Sequence, residues 1–362
     1  MLTRLRQERL LLILLTALPM LVWFSPIPVR DIPGLVHWNT LAALAGLMIL
    51  SRALEISGGL AAAGRWLVMR LHGERSLALC LVLFAAALST VLTNDVALFI
   101  SVPLTLGLRL VARLPLARLV VFQALAVNAG SAISPFGNPQ NLFLWQLAEV
   151  GIVEFIVAMA PLTAAMMGLL LGLVWLGFSR QRLMLGDVGA HPPMDRRLLL
   201  LGLVFYVPFL LAVDAGLALP AVVALLALFA ALKPRLLAGI DWLLLLVFLL
   251  MFVCLGLLAR LPWMLELMPA TDERPVLVYA LAVSLSQAMS NVPAAIFLAD
   301  FASDWRALAW GVSVGGFGLA IGSMANLIAL RLAREPGIWC EFHCWSIPML
   351  LLATGAGWLL LS

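Results

Sequence analysis

The stretch SLALCLVLFAAALSTVLTNDVALFISVPLTLGL (76–108) decides the fold. Two strongly apolar runs of helical length flank a polar tip, Thr93-Asn94-Asp95. The same grammar returns in VLVYALAVSLSQAMSNVPAAIFLADF (276–301), where the tip is Ser290-Asn291-Val292-Pro293. Each hairpin pattern is followed by a break rich in Gly and polar residues, GSAISPFGNPQN (130–141) and GGFGLAIGSMAN (315–326). A backbone polar group left open to lipid costs several kcal/mol, so such breaks persist only where they line a protein cavity. Two breaks in matched places of two halves point to a transporter's binding site.

Composition agrees. Of 362 residues, 64% are hydrophobic and 11% charged, against about 25% charged in a soluble domain. The chain reads as an all-α polytopic membrane protein, long enough for about nine to eleven spans of about 20 residues. Its net charge of +4 carries no nucleic-acid footprint; in a membrane protein, basic residues report topology. The N-terminal MLTRLRQERLLLILLTALPMLVWF has the basic head and apolar body of a signal peptide. No small-x-small cleavage site follows, so it is read as a retained first span. Cys80 and Cys254 fall in apolar spans. Cys340 and Cys344 flank His343 in WCEFHC, too few soft ligands for a structural metal, so no metal and no cofactor is expected beyond a transported ion. Neither HExxH nor GxSxG occurs, and the chain is not read as an enzyme.

Apolar runs and their interruptions order the chain. Residues 1–178 form a first repeat, with spans over 10–27 and 35–51, an amphipathic segment over 52–72, a hairpin over 76–112, a broken helix over 118–150 and a span over 154–178. Residues 179–216 hold a polar cytoplasmic linker and a connector span. Residues 217–362 form the second repeat, with a hairpin over 275–303, a broken helix over 306–334 and a last span over 342–361. With the N-terminus cytoplasmic, 18 of the 22 Lys and Arg fall inside; Arg30, Arg260, Arg274 and Arg306 fall outside. If each hairpin returns to its side of entry, the first opens inward and the second outward, so the repeats are inverted and the C-terminus is periplasmic. His37, His72 and His191 fall at span ends or loops and are read as surface groups. Trp23, Trp38, Trp66, Trp242, Trp263 and Trp339 fall where an aromatic belt would sit.

Asp95 is the one carboxylate this map places deep. A carboxylate at membrane depth is costly and points to a proton or Na⁺ carrier; the plainer alternative is a cap on a helix starting at Val96. Asp300, on the return leg of the second hairpin, is read as solvated. Asn94 and Asn291 can accept from a cation or donate to an anion, and Thr93 and Ser290 add hydroxyls; the alternative is ordinary turn chemistry. In the breaks, Gly137 and Gly322 deny a regular helix, and Asn138, Asn141, Ser323 and Asn326 supply polar groups. Tight packing of small residues is the other reading there.

TNDVALFISVPLTLGL with SAISPFGNPQNLFLW, and SNVPAAIFLADF with GVSVGGFGLAIGSMANLIALRLA, resemble the ion transporter superfamily: arsenite permeases, NhaD-type sodium/proton antiporters and divalent-anion/sodium symporters. The nearest likeness is to its small bacterial anion-permease branch. The resemblance implies a scaffold part and a moving part in an inner-membrane protein, often a homodimer. By its motifs, Thr93, Asn94, Ser290, Asn291, Asn138, Asn141, Ser323 and Asn326 would bind substrate. Asp95, Asn94, Gly137, Asn138 and Gly322 would serve a coupling ion, Na⁺ or H⁺. The dicarboxylate members carry Ser-Asn-Thr at both tips; Asp95 and Val292 replace the two threonines, which leans toward the arsenite or antiporter branches. The expectation is a secondary transporter of a small inorganic or organic anion coupled to H⁺ or Na⁺. A Na⁺/H⁺ antiporter and an arsenite or antimonite efflux permease are the alternatives, and a non-transporting membrane scaffold is the reading from another class.

Overall fold

The computed structural model describes residues 9–110, 114–182, 194–268 and 274–362, and among these there is no β-strand. Among the described residues, six helices are long and apolar enough to cross a membrane. The N-terminal helix α1 (Arg9–Phe24) is followed by α2 (Trp38–Ile56) and the short α3 (Gly59–Val68). The first hairpin is α4 (Glu74–Val91) and α5 (Asn94–Gly107); the first broken helix is α6 (Leu116–Ser131) and α7 (Pro139–Ala148), followed by α8 (Ile152–Gly177). Then come α9 (Arg196–Asp214), α10 (Ala218–Leu232) and the single turn α11 (Pro234–Ala238).

The order then repeats. Helix α12 (Trp242–Ala259), of mean hydropathy 3.0, precedes the short α13 (Pro262–Leu267). The second hairpin is α14 (Pro275–Met289) and α15 (Asn291–Ala299); the second broken helix is α16 (Trp305–Val314) and α17 (Met324–Ala333), and α18 (Ile338–Leu361) closes the chain. The middle of the polar linker, with His191, lies outside the described residues, as does Arg113.

Helix lengths place the breaks. Helix α15 has 9 residues and α7, α16 and α17 have 10 each, so each rises only about 14–15 Å. None crosses the roughly 30 Å hydrocarbon layer alone, so their inner ends stop within its thickness. Side-chain caps start several of these pieces: Asp304 Oδ1 accepts from Arg306 N at 2.9 Å and Ala307 N at 3.0 Å at the start of α16.

Both halves pack by one scheme. The first leg of each hairpin lies along the first piece of its own broken helix, α4 on α6 and α14 on α16. The return legs cross over: α5 meets α17 of the second half, and α15 meets α7 of the first. Glycine permits the close approach. A Cβ on Gly130 would lie 2.5 Å from the Ala86 carbonyl oxygen, and one on Gly315 would lie 2.4 Å from Ser286 Cβ. Helix α6 is the centre of the molecule, with every residue from Leu119 to Ser131 buried, the state of a helix enclosed on all sides.

Helices α9 and α10 pack on α2, and α1 packs on α12. Phe209 of α9 fills the notch at Gly46 of α2, where a Cβ would sit 2.0 Å from its ring. The connector span also reaches the first hairpin: the Tyr206 hydroxyl donates to the Val91 carbonyl, close to the tip. The six tryptophans expected in an aromatic belt are all exposed.

Two residues read as surface groups are exposed and also gain neighbours. Asp300 pairs with Arg260, the C-cap of α12, at 3.1 Å. His37 is exposed. It stands at the rim of a cavity of about 260 Å³, with Arg260 and Asp300 also lining it.

Candidate functional site

Helix α5 begins at Asn94, not Val96, and Thr93 is its N-cap residue without a side-chain cap bond. Thr93 and Asn94 are buried, and Asn94 Oδ1 has no hydrogen-bond partner. The Thr93 hydroxyl lies beside the Asp95 carboxylate but makes no hydrogen bond of ordinary geometry. Asp95, half-buried in the first turn, folds back over its own N–H and that of Val96. Among the described residues, no Lys or Arg pairs with it.

The first break packs against this hairpin: a Cβ on Gly137 would lie 2.4 Å from the Ser89 carbonyl oxygen, about one helical turn before the tip. Asn138 caps α7, its Oδ1 accepting from Asn141 N at 2.8 Å, while its Nδ2 donates to Ser131 Oγ at 3.0 Å. Asn141 Nδ2 is shared among the carbonyls of Ser131 (3.3 Å), Ala132 (3.0 Å) and Ser134 (3.2 Å). Its Oδ1, buried, has no partner. The tip and the break together present several oxygens and few donors.

The second side is built differently. Ser290 has φ +77°, a left-handed conformation that strains a residue with a side chain. Its hydroxyl reaches Asn291 Oδ1 and the Gly322 carbonyl at 3.5 Å each. Ser323 caps α17 through Ala325 N at 3.3 Å. Asn326 Nδ2 donates to the Gly316 carbonyl at 2.8 Å. Asn291 Nδ2 would lie 3.3 Å from a Cβ on Gly316, so Asn291 and Asn326 meet around that glycine.

Three partners were not singled out from the sequence. Asn128 of α6 donates to Asn326 Oδ1 at 2.8 Å and to the Gly316 carbonyl at 3.3 Å, joining the two halves. Thr90, three residues before Thr93, donates to the Gly130 carbonyl at 3.1 Å. Gln287, three residues before Ser290, donates to the Gly315 carbonyl at 2.7 Å. A polar side chain in an apolar run at membrane depth is the signal that marks them. Cys340 and Cys344 are exposed, and no group of three or more metal-ligating side chains occurs among the described residues.

Two hairpins and two interrupted helices, with buried amides gathered at their inner ends, define a multi-pass membrane transporter. The chain belongs to the citrate transporter (CitMHS) family, whose profile matches residues 6–315. It is 43% identical to the inner membrane protein YbiR of Escherichia coli, over 94% of this chain and 92% of that one. It is 30% identical to an uncharacterized transporter of Methanocaldococcus jannaschii, over 83% and 82% of the two chains. A silicon efflux transporter of rice, LSI3, shares 31% identity over 43% of this chain and 32% of its own length.

Proposed function

We propose that the protein is a secondary active transporter that moves a small inorganic or organic anion, coupled to H⁺ or Na⁺. The oxygens gathered at the first tip and break carry this reading: Thr93 Oγ1, Asn94 Oδ1 and Asn141 Oδ1, each buried without a hydrogen bond, and the Asp95 carboxylate. Unsatisfied buried acceptors are costly, and hard oxygen ligands beside a carboxylate suit a small cation or a proton. The start of α15 and the amide of Asn291 supply donors on the other side, suited to an anion. The citrate in the family's description and the silicon in a relative's name both fit small oxygen-rich solutes.

The reciprocal packing of the halves supports inverted repeats with the hairpins opening to opposite sides, and the distribution of Lys and Arg supports a cytoplasmic N-terminus and a periplasmic C-terminus. The test is uptake and proton flux in proteoliposomes carrying citrate, succinate, sulfate or arsenite, with and without a Na⁺ or pH gradient. Gradient-driven flux that Asp95→Asn uncouples is the expected result. Unchanged coupling in Asp95→Asn would remove Asp95 from the mechanism. Na⁺-dependent proton flux without anion uptake would favour the antiporter reading, to which a carboxylate at the first tip lends itself.

A further inference from the structure

The two breaks differ in how their freed carbonyls are served. In the second, Gln287 Nε2 donates to the carbonyls of Gly315 at 2.7 Å and Phe317 at 3.0 Å, and Gln287 Oε1 accepts from Leu319 N at 2.9 Å. The Gly316 carbonyl between them takes the amides of Asn326 and Asn128. The chain wraps closely around Gln287: Gly318 has φ +87°, and a Cβ there would lie 2.5 Å from Gln287 Oε1. One glutamine amide thus takes the same carbonyl lone pairs that a bound cation would need.

The first break is served more thinly, and its amide oxygen is left open: Asn141 Oδ1 has no partner. Thr90, in the matching place, reaches one carbonyl of the break, Gly130, and shares its single proton with Ala86 of its own helix. The single NH₂ of Asn141, with two hydrogens, is spread over three carbonyls. Among the described residues, the second half adds one buried orphan near its break, Ser313 Oγ, a lone hydroxyl beside carbonyls already occupied. Its tip and cap side chains, Ser290, Asn291, Ser323 and Asn326, all have partners.

We propose that Gln287 is a resident plug in a second cation site, so that each chain binds one monovalent coupling cation, at the first tip, per transport cycle. This rests on the cation reading of the Thr93–Asn94–Asp95 side given above. Gln287 acts by filling the second break, not by touching the coupling ion. Exchanging its amide for a group that cannot donate at Nε2 reopens the carbonyls of Gly315 and Phe317.

The experiment is calorimetric titration of the full purified chain with Na⁺ and with Li⁺ at mildly alkaline pH, paired with melting curves. The wild type is expected to bind one equivalent, and Asn94→Ala none. Gln287→Glu keeps the shape of the side chain and replaces its donors with a charge. It is expected to bind a second equivalent and to melt at a temperature that climbs with Na⁺ or Li⁺ well beyond the wild-type rise. Gln287→Thr, which copies Thr90, is the second variant should Gln287→Glu fold poorly, and it too is expected to gain an equivalent. Two equivalents in the wild type overturn the proposal, as does one equivalent in both Gln287 variants. No binding to any form removes the Na⁺ reading of the first tip itself, and the plug with it.

Discussion

Asn128 of α6 donates a side-chain N–H to Asn326 Oδ1 of α17 at 2.8 Å, and both amides converge on the Gly316 carbonyl. Both residues are buried, so the bond ties the first half to the second where water cannot replace a lost partner. Asn128→Ala leaves Asn326 Oδ1 without its donor, a cost of about 1–3 kcal/mol for a buried polar atom. Melting in detergent should fall accordingly. Asn128→Asp should fall further, because a carboxylate would face two acceptors. Wild-type melting in both variants would show that the bond contributes nothing.

Gly130 and Gly315 hold each hairpin against its broken helix, and an added methyl has no room at either. Gly130→Ala meets the Ala86 backbone, which cannot swing aside as a side-chain tip can. Overpacking of this kind costs about 1–3 kcal/mol. Gly168 and Gly172, inside α8, have nothing within 4 Å of an added Cβ. Alanine there should stabilise by roughly 0.5–1 kcal/mol through helix propensity. Comparing the four variants by thermal melting separates packing from propensity; equal shifts in all four would contradict the close approach.

The spans, hairpins and breaks were legible because each signal is local: an apolar run, a tip at Asn94 or Asn291, a glycine cluster at 315–318. Their boundaries fall within a few residues of the helices observed. What could not be read was which face of one segment meets another. Asn128 and Gln287 sit in apolar helices whose sequence gives no direction, yet they complete the second break from two different elements. The partner of the exposed Asp300 was likewise hidden, because Arg260 lies 40 residues away in the chain. The asymmetry of the tips was visible in Asp95 and Val292. Its cause in hydrogen-bond supply was not, since only the fold shows which carbonyls Gln287 and Asn141 reach.

Ser290 stands at the second tip with φ +77° and ψ 156°, a region that non-glycine residues enter at a cost of about 1–3 kcal/mol. Ser290→Gly removes that cost and only two long hydroxyl contacts. The variant should melt higher than wild type by an amount of that order, less the extra backbone entropy of glycine. Transport in proteoliposomes should fall, because a relaxed tip no longer fixes the start of α15. A lower melting temperature would mean that the Ser290 hydroxyl matters more than its backbone strain.

His37, just before α2, packs its ring edge-on to Phe143 of α7 at 4.9 Å and tilted to Phe252 of α12 at 5.2 Å. His37 is exposed as a residue, yet desolvation of its ring against these aromatics, and then the charge of Arg260, lower its pKa below the ordinary 6.5. In the unfolded chain His37 takes up a proton as pH falls through 6.5, while the folded chain resists it. The unfolded state then binds more protons, so stability drops as pH falls. The histidine's penalty is absent well above 6.5 and grows below it. His37→Gln is neutral in both states and lacks this component. Melting of wild type and variant from about pH 8 to about pH 5 should therefore diverge below 6.5, with the wild type losing more. A constant difference across the range would show that the folded protein accepts the proton as readily as the unfolded chain.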